Sequence, residues 1–530
     1  MPLHFSLDSI TSNAGESATL PQAAVTAIVG GNNAGKSRLL QDIELALTQR
    51  EATLVVLQSL AITQPTPESP EELSEWLDAH ASRSTANNGG PQWSPAYGGT
   101  VLSLEQVTTF LNQRSRSGFP TLSLAGSFFV HRTSAGALAG HAAGAAPVGQ
   151  AAVNSPTNPL GRLYRDGDIE AELDELARAT FGDGLVLDRA NAEFRIRVGE
   201  VTVPVPPINH PTREYGDALL RLPLLDDQGD GMRSFVGFAL LVMASPPPLL
   251  LIDEPEAFLH PGQARALGRW LGTAARDRGI QVVVATHDRD LLLGLLEAEA
   301  PVNVIRVVRE GDVNRLAQLP PEEIQEVWAD PVLRYSNVLQ GLFHRQVIVC
   351  ESDGDCRFFG AALDELALST DRRSVADDTL FVPGGGKQRV AAIARALGRL
   401  QVRSRAIVDF DVFRERDTVR GIVESVGGVW TDDINSDYVT MIRPVQQGSL
   451  WTQVKAQGLA AVPHGEPNAA AQRLIDALRE AGVHVVPVGE MEGFDRSQSA
   501  HGAAWVSTAI EAGVHKTQAL TDFVEPLLTS

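Results

Sequence analysis

Short apolar runs alternate with segments of helical spacing along most of the chain, and glycines or acids stand where the runs end. Val25, Ala27, Ile28 and Val29 make one run, and Leu39, Leu40, Ile43 and Leu47 follow at the spacing of one helix face. Further on, 235–244 reads as an apolar helix, 249–252 as a buried strand, 261–278 as a helix and 280–285 as another strand. After about Leu342 the rhythm restarts, with strands expected at 346–350, 379–382, 405–408 and 484–488 and helices at about 355–368 and 388–400. Strands apolar on both faces go with a mostly parallel sheet covered by helices. The expected fold class is therefore α/β in two domains, 1–340 and 343–530.

Polar and glycine-rich interruptions mark the insertions. Residues 63–99 are rich in Pro, Ser, Asn and Gly around one amphipathic piece at 70–81, which predicts a surface insertion at about 61–100. Residues 121–131 read as a strand. The stretch 135–159 is an Ala/Gly/Pro tract and the best candidate for a mobile loop. A charged helix at 168–180 and the alternating RIRVGEVTVPV complete a second insertion, 135–215, which is a candidate for dimerisation.

Composition narrows the setting. The 530 residues carry a net charge of −21, which argues against a uniformly basic nucleic-acid binder but leaves room for a local basic channel. Of the 44 lysines and arginines only Lys36, Lys387, Lys455 and Lys516 are lysine, so each lysine is informative. Two cysteines, Cys350 and Cys356, are too few for a disulfide framework or a zinc site. The apolar stretch 235–252 is broken by Pro246-Pro247-Pro248, so no membrane span is expected. No basic, apolar leader opens the chain, and a cytoplasmic location is the expectation.

The run VTAIVGGNNAGKS (25–37) has the spacing G-x-x-x-x-G-K-S between a strand and a helix. Backbone N–H groups from Gly30 through Asn33 to Gly35 would cradle phosphates, Lys36 would reach the β/γ oxygens, and Ser37 would ligate Mg²⁺. A bare glycine turn does not require strand, loop and helix in that order. LLLIDEPEAFLHP (249–261) then delivers Asp253 for the metal and Glu254 to polarise the attacking water, and VVVATHD brings His287 to a strand end beside the γ-phosphate. This order resembles the ABC-type ATPase head of SMC, RecF and related proteins. In that family a signature upstream of the acidic strand caps the nucleotide of a second subunit. DQGDGMRS occupies that place, so the resemblance implies a homodimer with Gly229, Gly231 and Ser234 at its nucleotide.

A second set of acids follows. VIVCESDGDCRFF sets Glu351 at a strand end with Asp355 at a helix start, and AIVDFD puts Asp409 and Asp411 two residues apart after another strand. Glu plus Asp-x-Asp at the carboxyl edge of a parallel sheet suits one or two hard divalent cations; the plainer reading of either motif is helix capping. The pattern resembles a Toprim domain. An ABC-type head followed by Toprim resembles the OLD (overcoming lysogenization defect) family, including the ATPase-nuclease subunit of Gabija-type antiphage systems. EPEAFLHP and VPVGEMEGF are close to that family's wording, while Ser352 stands where the family more often has glycine. The resemblance implies a Mg²⁺- or Mn²⁺-dependent DNA endonuclease regulated by ATP, with a helicase or another defence-system protein as a possible partner. Glu351, Asp355, Asp409 and Asp411 would hold metals, with Glu490 or Glu492 completing a second site. The family's lysine matches Lys516 near the C-terminus, or else Lys387 after the glycine turn. Eight arginines between Arg389 and Arg420 either track DNA phosphates or form a solvated face.

Two other classes compete with the nuclease. One is an ATPase clamp or sensor whose Toprim domain is a platform for DNA or a partner; the other is a topoisomerase-like transferase, for which none of five tyrosines lies in a recognisable nucleophile domain.

Overall fold

The computed structural model describes residues 3–87, 89–111, 113–115, 118–142, 146–147, 159–189, 193–207, 210, 212–244, 246–319, 321–330, 337–498 and 501–528. Two compact units divide the chain, Met1–Pro321 and Glu322–Ser530. The junction thus falls earlier than the 340–343 read from the sequence. The 3₁₀ segment Asn337–Phe343 buries Val338, Leu339 and Leu342, and a side chain at Gly341 would strike Val347 and Leu397 of the second unit's core.

In the first unit, strand β1 (Val25–Val29) leads to helix α1 (Lys36–Thr48). There follow β2 (Val130–Ser134), α2 (Ala135–Ala142), α3 (Asp230–Ala244), β3 (Leu249–Asp253), α4 (Pro261–Asp277), β4 (Gln281–Ala285), α5 (Arg289–Glu297), β5 (Val302–Glu310) and β6 (Val313–Leu319). The sheet order is β2-β3-β4-β1-β5-β6. All its pairs are parallel except β5–β6. Every residue of β1 and β4 is buried, as a sheet covered on both faces requires. Leu39, Leu40, Ile43 and Leu47 of α1 share a core with Leu7, Ile10 and Leu60 of a separate antiparallel sheet. That second sheet runs through Ser17–Thr19, Ser6–Ser12 and Leu57–Thr63.

Two expectations about the insertions change here. Residues 61–100 are no surface appendage: helix Pro70–His80 and the small sheet beside it send Leu73, Leu77 and Trp93 into that same core. Residues 121–131 are not one strand, because Ser123–Phe128 winds into a 3₁₀ turn before β2. The reason lies at the end of α1, where Leu47 O accepts both Leu122 N–H (3.1 Å) and Thr121 Oγ1–H (3.2 Å). The start of the supposed mobile tract is the ordered helix α2; its parts at 143–145 and 148–158 lie outside the described residues. The charged helix spans Gly167–Phe181, N-capped by Asp166, and of RIRVGEVTVPV only the strand Glu193–Val198 forms.

In the second unit β7 (Gln346–Cys350), α6 (Asp353–Ser369), β8 (Thr379–Pro383), α7 (Lys387–Arg399), β9 (Arg403–Val408) and β10 (Val483–Val485) build a four-stranded sheet of order β8-β7-β9-β10. It is parallel throughout. Cys350 pairs with Ile407, so the acids after β7 and β9 emerge at one level of the carboxyl edge. No described helix is long and apolar enough to cross a membrane.

Candidate ATP site and acidic centre

The loop after β1 is shaped by its glycines. Gly30 has φ 151, and a Cβ there would sit 2.3 Å from Val307 O; Gly35 has φ 100, and its Cβ would meet Asn314 Nδ2 at 2.8 Å. Asn33, at φ 60, takes the left-handed conformation that asparagine tolerates. The Lys36 ammonium lies across its own loop, donating to Gly30 O (2.9 Å) and Gly31 O (3.1 Å). Ser37 Oγ donates to Asp253 Oδ1 at 2.9 Å, so strand β3 brings its acid to the first turn of α1. Burial, with Glu254 alongside, pushes the Asp253 carboxyl up despite that hydrogen bond. Hydroxyl and carboxylate together are a hard oxygen pair that fits Mg²⁺.

Glu254 stands at φ 50, a left-handed backbone costing on the order of 1–3 kcal/mol, and its N–H is anchored to Ala285 O at 2.9 Å. That turn aims its carboxylate at His287, whose Nδ1 lies 2.8 Å from Glu254 Oε1. Both side chains are half exposed, as groups that meet a ligand need to be. Gly30, Lys36, Ser37, Asp253, Glu254 and His287 thus gather at the carboxyl ends of β1, β3 and β4.

The signature residues are placed differently from the sequence reading. Ser234 is buried and gives its hydroxyl to Ala135 O at 2.9 Å, so it locks α3 to α2 instead of facing outward. A Cβ on Gly231 would approach Phe258 O at 2.5 Å, which makes this glycine a packing residue. Only Gly229 of the three is exposed, at the start of α3.

The sequence carries no sign of Asn314 on β6, which donates to Ala34 O at 2.7 Å on the flank of the phosphate loop. Its own N–H goes to Asn13 Oδ1 at 2.7 Å. Nor did it give Thr286 and Glu256 a role, although the second glutamate of DEPE was the available signal.

In the second unit, Glu351, Asp409 and Asp411 each offer an oxygen within 4.8 Å of the others. Among the described residues they are the acidic group of that kind. Glu351 Oε1 accepts Asp409 N–H at 3.0 Å, which fixes its carboxylate. Burial pushes Glu351 up to about 7 and Asp409 up to about 9, the latter helped by the charges of Glu351, Asp355 and Asp411. One cation answers them directly: Lys387 Nζ lies 3.2 Å from Asp411 Oδ1. Clustered carboxylates with so little counter-charge fit one or more hard divalent cations. The glycine turn before Lys387 is pinned to the same place, with Gly384 N donating to Cys350 O (2.7 Å) and Gly386 N to Glu351 O (2.8 Å).

Other expected ligands fall outside this group. Asp355 Oδ2 accepts Ser352 N–H (2.9 Å) and Oγ–H (2.8 Å), forming a capping box on α6. Ser352, in place of a glycine, thus turns Asp355 to helix capping. Glu492 Oε1 accepts Gly502 N–H at 2.9 Å, and Glu490 Oε2 is 3.8 Å from Lys455. Their charges still bear on the centre, Glu492 on Asp355 and Glu490 on Asp409. Lys516 pairs with Glu365 at 3.0 Å, far along α6. At 1.5 Å per residue that point lies about 18 Å along the helix from its start beside Glu351. The lysine at the centre is Lys387. Of the eight arginines, Arg405 is buried against Pro526 O (2.8 Å), while Arg399 and Arg420 pair with Glu326 and Glu424. Arg389 is exposed on the first turn of α7, next to the glycine turn.

Residues 151–294 match the family described as "AAA domain, putative AbiEii toxin, Type IV TA system". With the phosphate loop and acidic strand in place, the first unit is a P-loop ATPase domain on an α/β fold, similar in part to ATP-binding proteins of the ABC type. Among known proteins, the phosphonates import ATP-binding protein PhnC 2 of Synechococcus sp. (strain JA-2-3B'a(2-13)) is 31% identical over 105 residues, 20% of this chain and 38% of that protein. The methionine import ATP-binding protein MetN of Burkholderia thailandensis is 28% identical over 189 residues, 32% of this chain and 54% of that protein. The chain spans about half or less of the length of these relatives. A solved SMC head bound to the C-terminal winged-helix domain of ScpA overlaps 60% of this chain and 98% of its own, with 13% identity and a TM-score of 0.36.

Proposed function

We propose that the chain is an ATP-hydrolysing, Mg²⁺- or Mn²⁺-dependent DNA endonuclease of the OLD type, acting in antiphage defence, in which the ATP state of the head governs phosphodiester cleavage by a Toprim centre in the second unit. The observation that carries the reading is the convergence of Glu351, Asp409 and Asp411 within 4.8 Å beside Lys387. A bound divalent cation would supply Lewis acidity and an activated water at that centre. Glu351, steadied by Asp409 N–H, and the two aspartates would hold it. The Lys387 ammonium is placed to meet negative charge on a phosphate oxygen, and exposed Arg389 to hold the adjoining DNA backbone.

In the head, Lys36 would contact the β/γ-phosphates, Ser37 and Asp253 would share Mg²⁺, and Glu254 would orient water with His287 at its side. A homodimer remains part of the proposal, but its contact to nucleotide rests on the exposed start of α3 around Gly229 and not on Ser234.

Incubation of the full chain with supercoiled plasmid and Mg²⁺ or Mn²⁺, with and without ATP, tests the nuclease. Nicking by the wild type and its loss in Asp411→Ala, with ATPase activity kept, is the expected result. Wild-type nicking in that variant, or no nicking of any DNA by the wild type, would leave the second unit a binding platform.

A further inference from the structure

Glu256, the second glutamate of the Asp253–Glu256 run, takes no part in the chemistry above, yet it is only 6% exposed. Its Oε1 accepts the Thr286 hydroxyl at 2.5 Å, while Oε2 is buried with no hydrogen-bond partner. Thr286 Oγ1 in turn accepts Asp288 N–H at 2.9 Å, and Asp288 caps α5 by accepting Leu291 N–H at 2.7 Å. Glu256 therefore holds the root of the β4–α5 loop, which carries His287. Two rungs tie that loop to the end of β3: the exposed Glu254–His287 pair and, behind it, the buried Glu256–Thr286 pair.

An orphaned carboxylate oxygen in such a setting is costly, whereas the protonated acid is tolerated. Burial pushes Glu256 up to about 7 against the pull of the Thr286 hydroxyl; of the titratable groups facing it, Asp288 pushes the same way and His287 the opposite way.

We propose that Glu256 is a positioning residue for ATP hydrolysis, whose carboxyl clamps Thr286 and so keeps His287 and Glu254 in register for turnover. The proposal rests on the hydrolysis reading above. Glutamine keeps the acceptor for Thr286 and cannot ionise, and valine in place of Thr286 removes the same rung from the other side.

ATPase rates of the full chain provide the test. Glu256→Leu, which removes the acceptor for Thr286, is expected to lower kcat about tenfold with the KM for ATP nearly unmoved, and Glu256→Gln, which keeps the acceptor, to stay within about threefold of wild type. Thr286→Val should lower kcat about tenfold, and Thr286→Ser should restore it. ATP binding by calorimetric titration should stay near wild type in each variant, which separates the clamp from a general loss of fold. A wild-type kcat in Glu256→Leu or in Thr286→Val, or a loss of ATP binding along with kcat, would overturn the proposal. A wild type that hydrolyses no ATP removes the hydrolysis reading instead.

Discussion

Replacing Asp409 by asparagine should make the second unit more heat-stable and at the same time deaf to divalent cations. Two full charges 4.8 Å apart at an effective dielectric of 20 repel by about 3.5 kcal/mol, and Glu351, Asp409 and Asp411 are within that distance of one another. The fold relieves the repulsion by holding protons, with Asp409 pushed up to about 9 and Glu351 to about 7 by burial and by their neighbours. An ordinary aspartate has lost its proton above about pH 4, so between there and pH 9 the folded chain binds a proton that the unfolded chain does not. Wild-type stability must therefore fall as pH rises through that window, and asparagine escapes the fall. Lys387 beside Asp411 and the coupling within the cluster reduce the net gain to about 1–3 kcal/mol, or roughly 3–10 °C for a unit of this size. The Asp409 N–H to Glu351 belongs to the backbone and survives the change. Scanning calorimetry in EDTA at pH 6 and 8.5, then in excess Mn²⁺, reads all of this. Wild type should be the less stable protein in EDTA, most clearly at pH 8.5, and should recover with Mn²⁺; Asp409→Asn should not respond. An asparagine variant that melts lower than wild type in EDTA, or still rises with Mn²⁺, would refute a metal-binding carboxylate cluster.

The two lysines that compete for the nuclease role should separate cleanly. Lys387→Ala is expected to slow plasmid nicking about a hundredfold, while Lys516→Ala, which loses an exposed pair with Glu365, should stay within about twofold of wild type. In the head, Lys36→Ala should abolish ATP binding measured by calorimetric titration, and Glu254→Gln should bind ATP without releasing phosphate.

The parts of this molecule that could be read from sequence are those whose chemistry is local. A phosphate loop is a run of consecutive residues with fixed φ demands at Gly30 and Gly35, and the acids after β3, β7 and β9 follow strands apolar enough to recognise. What could not be read depends on partners distant in sequence. Trp93 sits in a polar stretch, and nothing nearby announces its burial or its hydrogen bond to Asp78. Ser234 looks like a nucleotide contact until α2 closes over it. Thr121 and Leu122 are strand-like by composition, but the unpaired carbonyl at the end of α1 claims them.

The scarcity of lysine makes the protein its own reporter. An amine-reactive reagent meets four lysine side chains, of which Lys455 and Lys516 are more than half exposed. Lys387 is about a fifth exposed beside the acidic centre, and Lys36 only 7% exposed in the phosphate loop. Each working site thus holds one lysine amine, and the two outer lysines serve as internal standards. Peptide mapping after brief acylation would read nucleotide occupancy from Lys36 and DNA or metal occupancy from Lys387 in a single sample, without a label being engineered into the chain.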